Sequence, residues 1–260
     1  MDKIRNNCFI WIFSFFLVTA LLGKDPGQKI EEAKSKLQIG VNNWNPEFLK
    51  DARDLFLNIL IKENKENVYL MYYIALSDYR LTTFYLASEK EEKAENYSKE
   101  GLKYLEKAIE SDPSFGESYA LYASLLGVEI AFHPERAMAL GPKISEYFAK
   151  SFQRDPDNPR INLLKGISIL YTPETFGGGA DKAIILFQKS IDFFEKESIE
   201  GSLKPSWGRE EAYLNLGLAY KQMKEYDKAI ECLKKALEVN PDYGYAVIEL
   251  FKIEKEKEKK

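Results

Sequence analysis

Apolar and small residues recur along this chain at helical spacing, in units that resemble one another. The clearest unit runs from Glu210 to Tyr243, EEAYLNLGLAYKQMKEYDKAIECLKKALEVNPDY. Tyr213, Leu216, Gly217 and Tyr220 share one face of a first helix, and Ala229, Leu233 and Ala236 share one face of a second. Asn240-Pro241 closes the unit, because proline blocks helix continuation and biases its predecessor away from helical geometry. Asp112-Pro113 and Asp155-Pro156 repeat this device. Counting back from them, Gly101, Leu105 and Ala108, and then Ile144, Phe148 and Ser151, take the second-helix positions. Upstream, Ala52, Phe56 and Ile59 have the same spacing, with Gly40 12 residues before Ala52. Downstream, Gly166 precedes Ala183, Phe187 and Ser190. The pattern predicts an all-α chain of five helical pairs, about 28–62, 67–111, 115–154, 158–197 and 207–239. A final helix at 243–257 carries Val247 and Leu250 on one face and ends in EKEKEKK, which reads as a polar cap.

Such units must stack. Burying one Leu, Phe or Tyr side chain contributes roughly 1.5–3 kcal/mol, while ordering each residue costs roughly 1–2 kcal/mol of backbone entropy. One pair cannot fold alone, and five sharing interfaces can. Gly217 and Ala229 let the two helices of their pair approach closely. The spacing in 210–243 resembles the tetratricopeptide repeat, a helix–turn–helix unit whose signature sets apolar, small and aromatic residues at these offsets. The resemblance implies a solenoid of about five repeats with a C-terminal capping helix. It also implies a binding or scaffolding role before a catalytic one.

The pattern is broken by insertions. Ala75 to Gly101 spans 26 residues, Ala123 to Ile144 spans 21 and Gly166 to Ala183 spans 17, where the signature has 12. All three excesses fall between the first and second helix of a pair. Equivalent turns line one edge of a solenoid, so segments 82–90, 132–143 and 172–181 are expected to form a rim, and insertions on one face are often the binding face. Pro134, Pro142 and Pro173 are expected to stop helices, and Gly141 and Gly177 to Gly179 to permit unusual dihedrals. A fourth insertion, 196–209, joins pairs four and five and is expected on the opposite edge.

Leu163-Leu164-Lys165-Gly166-Ile167, Thr172-Pro173, Phe176-Gly177-Gly178-Gly179 and Lys182-Ala183 together resemble a group of exported bacterial repeat proteins. The same stretch is similar to the T component associated with TRAP solute transporters. That likeness implies an exported helical-repeat protein handling small hydrophobic ligands. The chain departs from it in having no lipid-attachment cysteine after its apolar run.

The N-terminus follows different rules. Lys3 and Arg5 precede an uncharged run from Cys8 to Leu22, and Gly23-Lys24-Asp25 ends it. A basic start and a short apolar stretch describe a secretory signal peptide over residues 1–23. The run is shorter than the roughly 20 residues of a spanning helix. Two outcomes stay open: cleavage after Ala20 or Gly23, or retention of 8–22 as an inner-membrane anchor. Either places the rest of the chain outside the cytoplasm, in the periplasm, with membrane contact only through that segment if it is uncleaved. After cleavage Cys232 is the one remaining thiol, so no internal disulfide can form and helix packing alone must supply stability.

The net charge of -4 argues against nonspecific nucleic-acid binding, which needs clustered cations. No nucleophile motif is present. The glycines at 177–179 precede a helix but lack the lysine and hydroxyl of a phosphate loop. The one histidine, His133, has no second His or Cys to complete a metal site. No enzyme activity, cofactor or metal is therefore expected. Lys165 occupies a position that the repeat usually makes apolar. Its burial would need an acidic partner, for which Glu129 is the candidate, or a route for its ammonium to solvent.

First-helix residues beside the signature positions line the concave groove in repeats of this kind. Here they are Tyr72, Tyr73, Leu76, Tyr79 and Arg80, then Leu121 and Ser124, then Leu164, Ile167 and Tyr171, and finally Asn215, Leu218 and Gln222. The set is apolar and aromatic, which suits a hydrophobic peptide segment or a lipid-like or aromatic small molecule. His133, Arg136, Phe176, Gly177, Gly178 and Gly179 are the rim candidates. The expectation is a scaffold or adaptor binding a protein or peptide through groove and rim. The alternative is a transporter-associated carrier of a hydrophobic small molecule. Whether the inserted loops leave the groove open or cover it is not decided by the pattern.

Overall fold

The computed structural model describes residues 26–63 and 66–258. The signal or anchor segment expected at 1–23 lies outside them. Among the described residues there are eleven α-helices, two short 3-10 turns and no strand. The helices are α1 (Pro26–Asn42), α2 (Pro46–Glu63), α3 (Val68–Ala87), α4 (Glu91–Ser111), α5 (Gly116–Phe132) and α6 (Ala137–Arg154). They continue as α7 (Pro159–Tyr171), α8 (Ala180–Lys196), α9 (Arg209–Gln222), α10 (Tyr226–Val239) and α11 (Gly244–Glu258). Odd- and even-numbered helices pair in sequence, and α11 covers the last pair. This is the all-α repeat solenoid with a terminal helix that the spacing predicts.

Local chemistry sets the boundaries. Asn67 caps α3 by accepting from the Leu70 N–H at 3.1 Å. Asn158 caps α7 by accepting from the N–H groups of Arg160 and Ile161, and Pro159 fills the first helical position, where a missing N–H costs nothing. Within pairs, small residues set the helix separation. A Cβ at Gly217 would lie 3.1 Å from the Ala229 carbonyl oxygen, and one at Gly166 only 2.5 Å from the Phe187 ring.

Three expected features differ. The excess between Ala75 and Gly101 is not a loop: α3 and α4 are 20 and 21 residues long, and only Ser88–Lys90 turns between them. Continuous helical pattern on both sides absorbs the extra residues, so segment 82–90 is mostly helix. Pro142 does not stop a helix either; it lies inside α6. It stands near the helix start on the exposed face, where the one forgone hydrogen bond leaves a carbonyl that water can reach. In α11, Ala246, Glu249 and Ile253 are buried, whereas Val247, Ile248 and Phe251 face outward. The cap is therefore rotated from the Val247–Leu250 face and is less polar than expected.

The solenoid curls until its first and last units meet. Lys34 on α1 donates to the Lys204 carbonyl at 2.9 Å. Gln38 donates to Glu210 at 2.7 Å, and Asn240 donates to Asn42 at 2.9 Å. Gly244 opens α11 against the end of α1, and a Cβ there would fall 2.7 Å from the Asn42 carbonyl oxygen.

The segment joining α8 to α9 does not run along the opposite edge. It turns inward across the odd-numbered helices. Trp207, at 7 % exposure, is buried and donates its indole N–H to the Tyr72 hydroxyl at 3.1 Å. Tyr73 donates to the Lys204 carbonyl at 3.2 Å.

Candidate functional site

The inward turn decides the fate of the concave face. Tyr72, Tyr73, Leu76, Tyr79, Leu121, Leu164 and Leu218 are all buried. Ile167 is half-buried and packs on the same core. Arg80 is not free to meet a ligand: it pairs with Glu211 at 2.5 Å, and its guanidinium lies 5.0 Å over the Trp207 ring. The expected open groove is therefore filled by the chain itself. Of that set Tyr171, at 63 %, and Gln222 are exposed. The sequence carried a sign of this. Residues 68–76 read VYLMYYIAL without a charged or strongly polar break, and a helix apolar on every side belongs inside a protein rather than on a surface. In the structure residues 70–79 are all buried.

A buried ionic network that the repeat pattern did not indicate holds the inward segment. Arg160 on α7, almost wholly buried, donates to both oxygens of Glu197 at 2.5 and 3.0 Å. It stands 3.6 Å from Glu117 on α5, which also accepts from Asn158 at 3.0 Å. Burial pushes the Glu117 carboxyl above its ordinary range despite the nearby guanidinium. Glu197 is the first residue after α8, so the pair fixes the direction in which the chain leaves that helix. The available signal was an arginine at the start of α7, directly ahead of Ile161, Leu163 and Leu164. A second buried pair, Arg53 and Asp78, joins α2 to α3. Burial pushes Asp78 up to about 7, against the pull of Arg53.

The rim candidates divide between two turns. At the α5–α6 turn, His133 lies 3.6 Å from Glu95 and 3.4 Å from Glu135, and Arg136 pairs with Glu129. Lys165 therefore does not pair with Glu129. Its ammonium sits 4.6 Å over the Phe148 ring, and burial alone holds its pKa below the ordinary lysine range.

At the α7–α8 turn, Phe176 is 69 % exposed. Gly177 and Gly179 adopt φ of 87° and 127°, in the region that favours glycine. A Cβ on Gly178 would lie 1.8 Å from the Thr172 carbonyl oxygen. These glycines fold the turn tightly beside the end of α7.

That turn forms one wall of a cleft of about 580 Å³, completed by Gln222 and Met223 at the end of α9. Tyr171, Pro173, Glu174 and Asp181 line it as well. Met223 is 44 % exposed. Tyr245 on α11, at 39 %, is close enough to Tyr171 for the two phenols to interact electrostatically. A smaller crevice of about 270 Å³ lies between α1 and residues 206–211. Among the described residues, no three of His, Cys, Asp and Glu converge as a metal-binding group, and no helix is long and apolar enough to cross a membrane.

The architecture defines a helical-repeat solenoid, and residues 210–243 match the tetratricopeptide repeat family model. The chain is thus a tetratricopeptide-like solenoid with one repeat close to the family pattern and several modified ones. No curated protein matches it. Among solved structures it is similar to the HusA haemophore from Porphyromonas gingivalis, at 24 % identity and TM-score 0.59 over 76 % of this chain and 92 % of that one. It is also similar to the tetratricopeptide protein TTC0263 from Thermus thermophilus, at 16 % identity and TM-score 0.58 over 85 % and 98 % of the two chains. A third is IFIT1, solved as a monomeric mutant with Gppp-AAAA, at 19 % identity and TM-score 0.63 over 90 % of this chain and 47 % of that one. At these identities the likeness is one of fold.

Proposed function

We propose that this protein is a scaffold or adaptor that holds a protein or peptide partner at the cleft between the α7–α8 turn and the end of α9. The observation that carries this reading is the exposure of Tyr171 and Met223 on the wall of one concavity, with Phe176 exposed on the turn that builds that wall and Tyr245 near Tyr171. The rest of the inner face is filled by the chain, apart from the crevice of about 270 Å³ beside Tyr73, Leu76 and Arg80. Large apolar side chains gathered at a concave site, beside a few polar groups, are what partner recognition uses. No reaction is part of the proposal. The carrier reading loses its apolar chamber, because Tyr72, Tyr73 and Trp207 occupy that space. We also propose that residues 1–23 direct the chain out of the cytoplasm, as a cleaved signal or a retained anchor.

A photo-cross-linking residue placed at position 171, and at the exposed Ile61 as a control, tests the site. The expected result is one dominant adduct specific to 171. The captured protein, once purified, should bind Tyr171→Ala at least about tenfold more weakly than the wild type. Identical adducts at both positions, with unchanged affinity for the alanine variant, would sink the proposal.

A further inference from the structure

Among the described residues, the charged side chains lining the cleft are two carboxylates, Glu174 and Asp181. Neither has a hydrogen-bonding or ion-pair partner among those residues. Lys182, the nearest base in sequence, turns its ammonium to the Gly177 carbonyl at 3.1 Å. The remaining wall is mixed: Leu170, Pro173, Ala180 and Met223 are apolar beside Tyr171, and Thr172 and Gln222 are polar.

We infer that the segment received here carries a basic side chain, arginine or lysine, next to an apolar residue. This rests on the reading of the cleft as the partner site and names the chemistry of what enters it. The cation would lie among Glu174, Asp181 and the Tyr171 ring, with the apolar neighbour over Leu170 and Met223. Carboxylates give charge-assisted hydrogen bonds to ammonium or guanidinium donors. An aromatic face adds a cation–π contact. Two acids with no intramolecular base also repel an acidic segment, so the same pair supplies selectivity. Both carboxylates are exposed, so each contributes modestly by itself. The effect depends on the two acting together on one cation.

A random-peptide library selected against the full chain supplies the probe. The expected consensus contains Arg or Lys beside an apolar residue. The consensus peptide should lose about tenfold or more in affinity when its basic residue becomes citrulline or glutamine. The variant Glu174→Gln/Asp181→Asn should show a similar loss and should then not respond to the peptide change. Binding to the wild type should weaken with salt, and binding to the doubly neutralised variant should not.

The possible failures separate. If peptides bind through Tyr171, as shown by loss in Tyr171→Ala, yet show no basic preference and no citrulline effect, the charge inference is overturned and the cleft reading stands. If binding ignores Tyr171→Ala as well, or if no peptide is selected, both are overturned. Calcium binding by the wild type, measured by titration calorimetry and lost in the neutralised variant, would assign the carboxylates to a metal and overturn the inference. Both variants change exposed side chains, and unchanged helical circular dichroism confirms that a loss is not unfolding.

Discussion

The Trp207 indole N–H donates to the Tyr72 hydroxyl at 3.1 Å across 135 positions of sequence. The bond ties the segment before α9 to the middle of α3, and it closes the inner face. Trp207→Phe leaves the buried hydroxyl without this donor and a gap beside it, and should cost about 1–3 kcal/mol. Trp207→Ala also removes the aromatic surface and should cost about 3–5 kcal/mol. Urea unfolding followed by circular dichroism measures both. Equal midpoints for wild type and the alanine variant would show that the segment does not stabilise the core.

Much of the fold was legible because its signals are local. Asn240-Pro241, Asp155-Pro156 and Asp112-Pro113 mark unit ends within a few residues of the helices they close. Gly166 and Gly217 mark helix contacts inside one unit. The groove was not legible from the repeat spacing. Its closure depends on Arg160 reaching Glu197 across 37 positions and on the Trp207–Tyr72 bond, and no periodicity encodes either. Repeat spacing states which residues face inward, but whether inward means groove or core depends on what crosses it. The unbroken apolar run 68–76 favoured core. At the rim, Gly179 lines the cleft, and Phe176, Gly177 and Gly178 belong to the same turn without lining it. His133 and Arg136 belong to a different turn and engage neighbouring acids.

The Asp78 carboxyl is held at about 7 by burial, well above the unfolded value of about 3.9. The folded protein therefore binds this proton more tightly than the unfolded chain. Its contribution to stability is full below about pH 4 and is lost as pH rises through 7. Asp78→Asn keeps the shape and cannot titrate. The unfolding free energy of the wild type relative to Asp78→Asn should fall between pH 4 and 7, by at most about 1.4 kcal/mol per pH unit. Urea titrations across that range check it, and a flat difference would contradict the burial argument.

Gly178→Ala should open the α7–α8 turn, because the added methyl would collide with the Thr172 carbonyl oxygen. The neighbour is backbone and cannot rotate away, so a cost of about 1–3 kcal/mol is expected. Proteolysis of the folded protein should become faster within 172–181, with the rest of the chain unchanged. Wild-type protection at that turn in the variant would refute the collision.

Lys165 has a half-buried ammonium resting on Phe148 with no carboxylate beside it. Lys165→Met keeps the length of the stem and removes the cost of desolvating the charge, at the loss of a cation–π contact. The variant should be as stable as the wild type or more so, by up to about 1 kcal/mol. Its advantage should shrink as pH approaches 10, since neutralising the amine relieves the same cost. Thermal melts at neutral and alkaline pH distinguish this from a needed ion pair, which would make the methionine variant clearly weaker.

The Asn42–Asn240 bond, 198 positions long, gives this protein an unusual kinetic character for a repeat stack. An open stack touches only its neighbours and can melt one unit at a time from either end. Joining first to last adds contacts of very high sequence separation, which form only after the intervening chain is in place and which slow folding. Fraying of α1 or α11 would have to break the closure first. Denaturation should therefore be a single sharp transition, and amide exchange at the two ends should be coupled rather than independent.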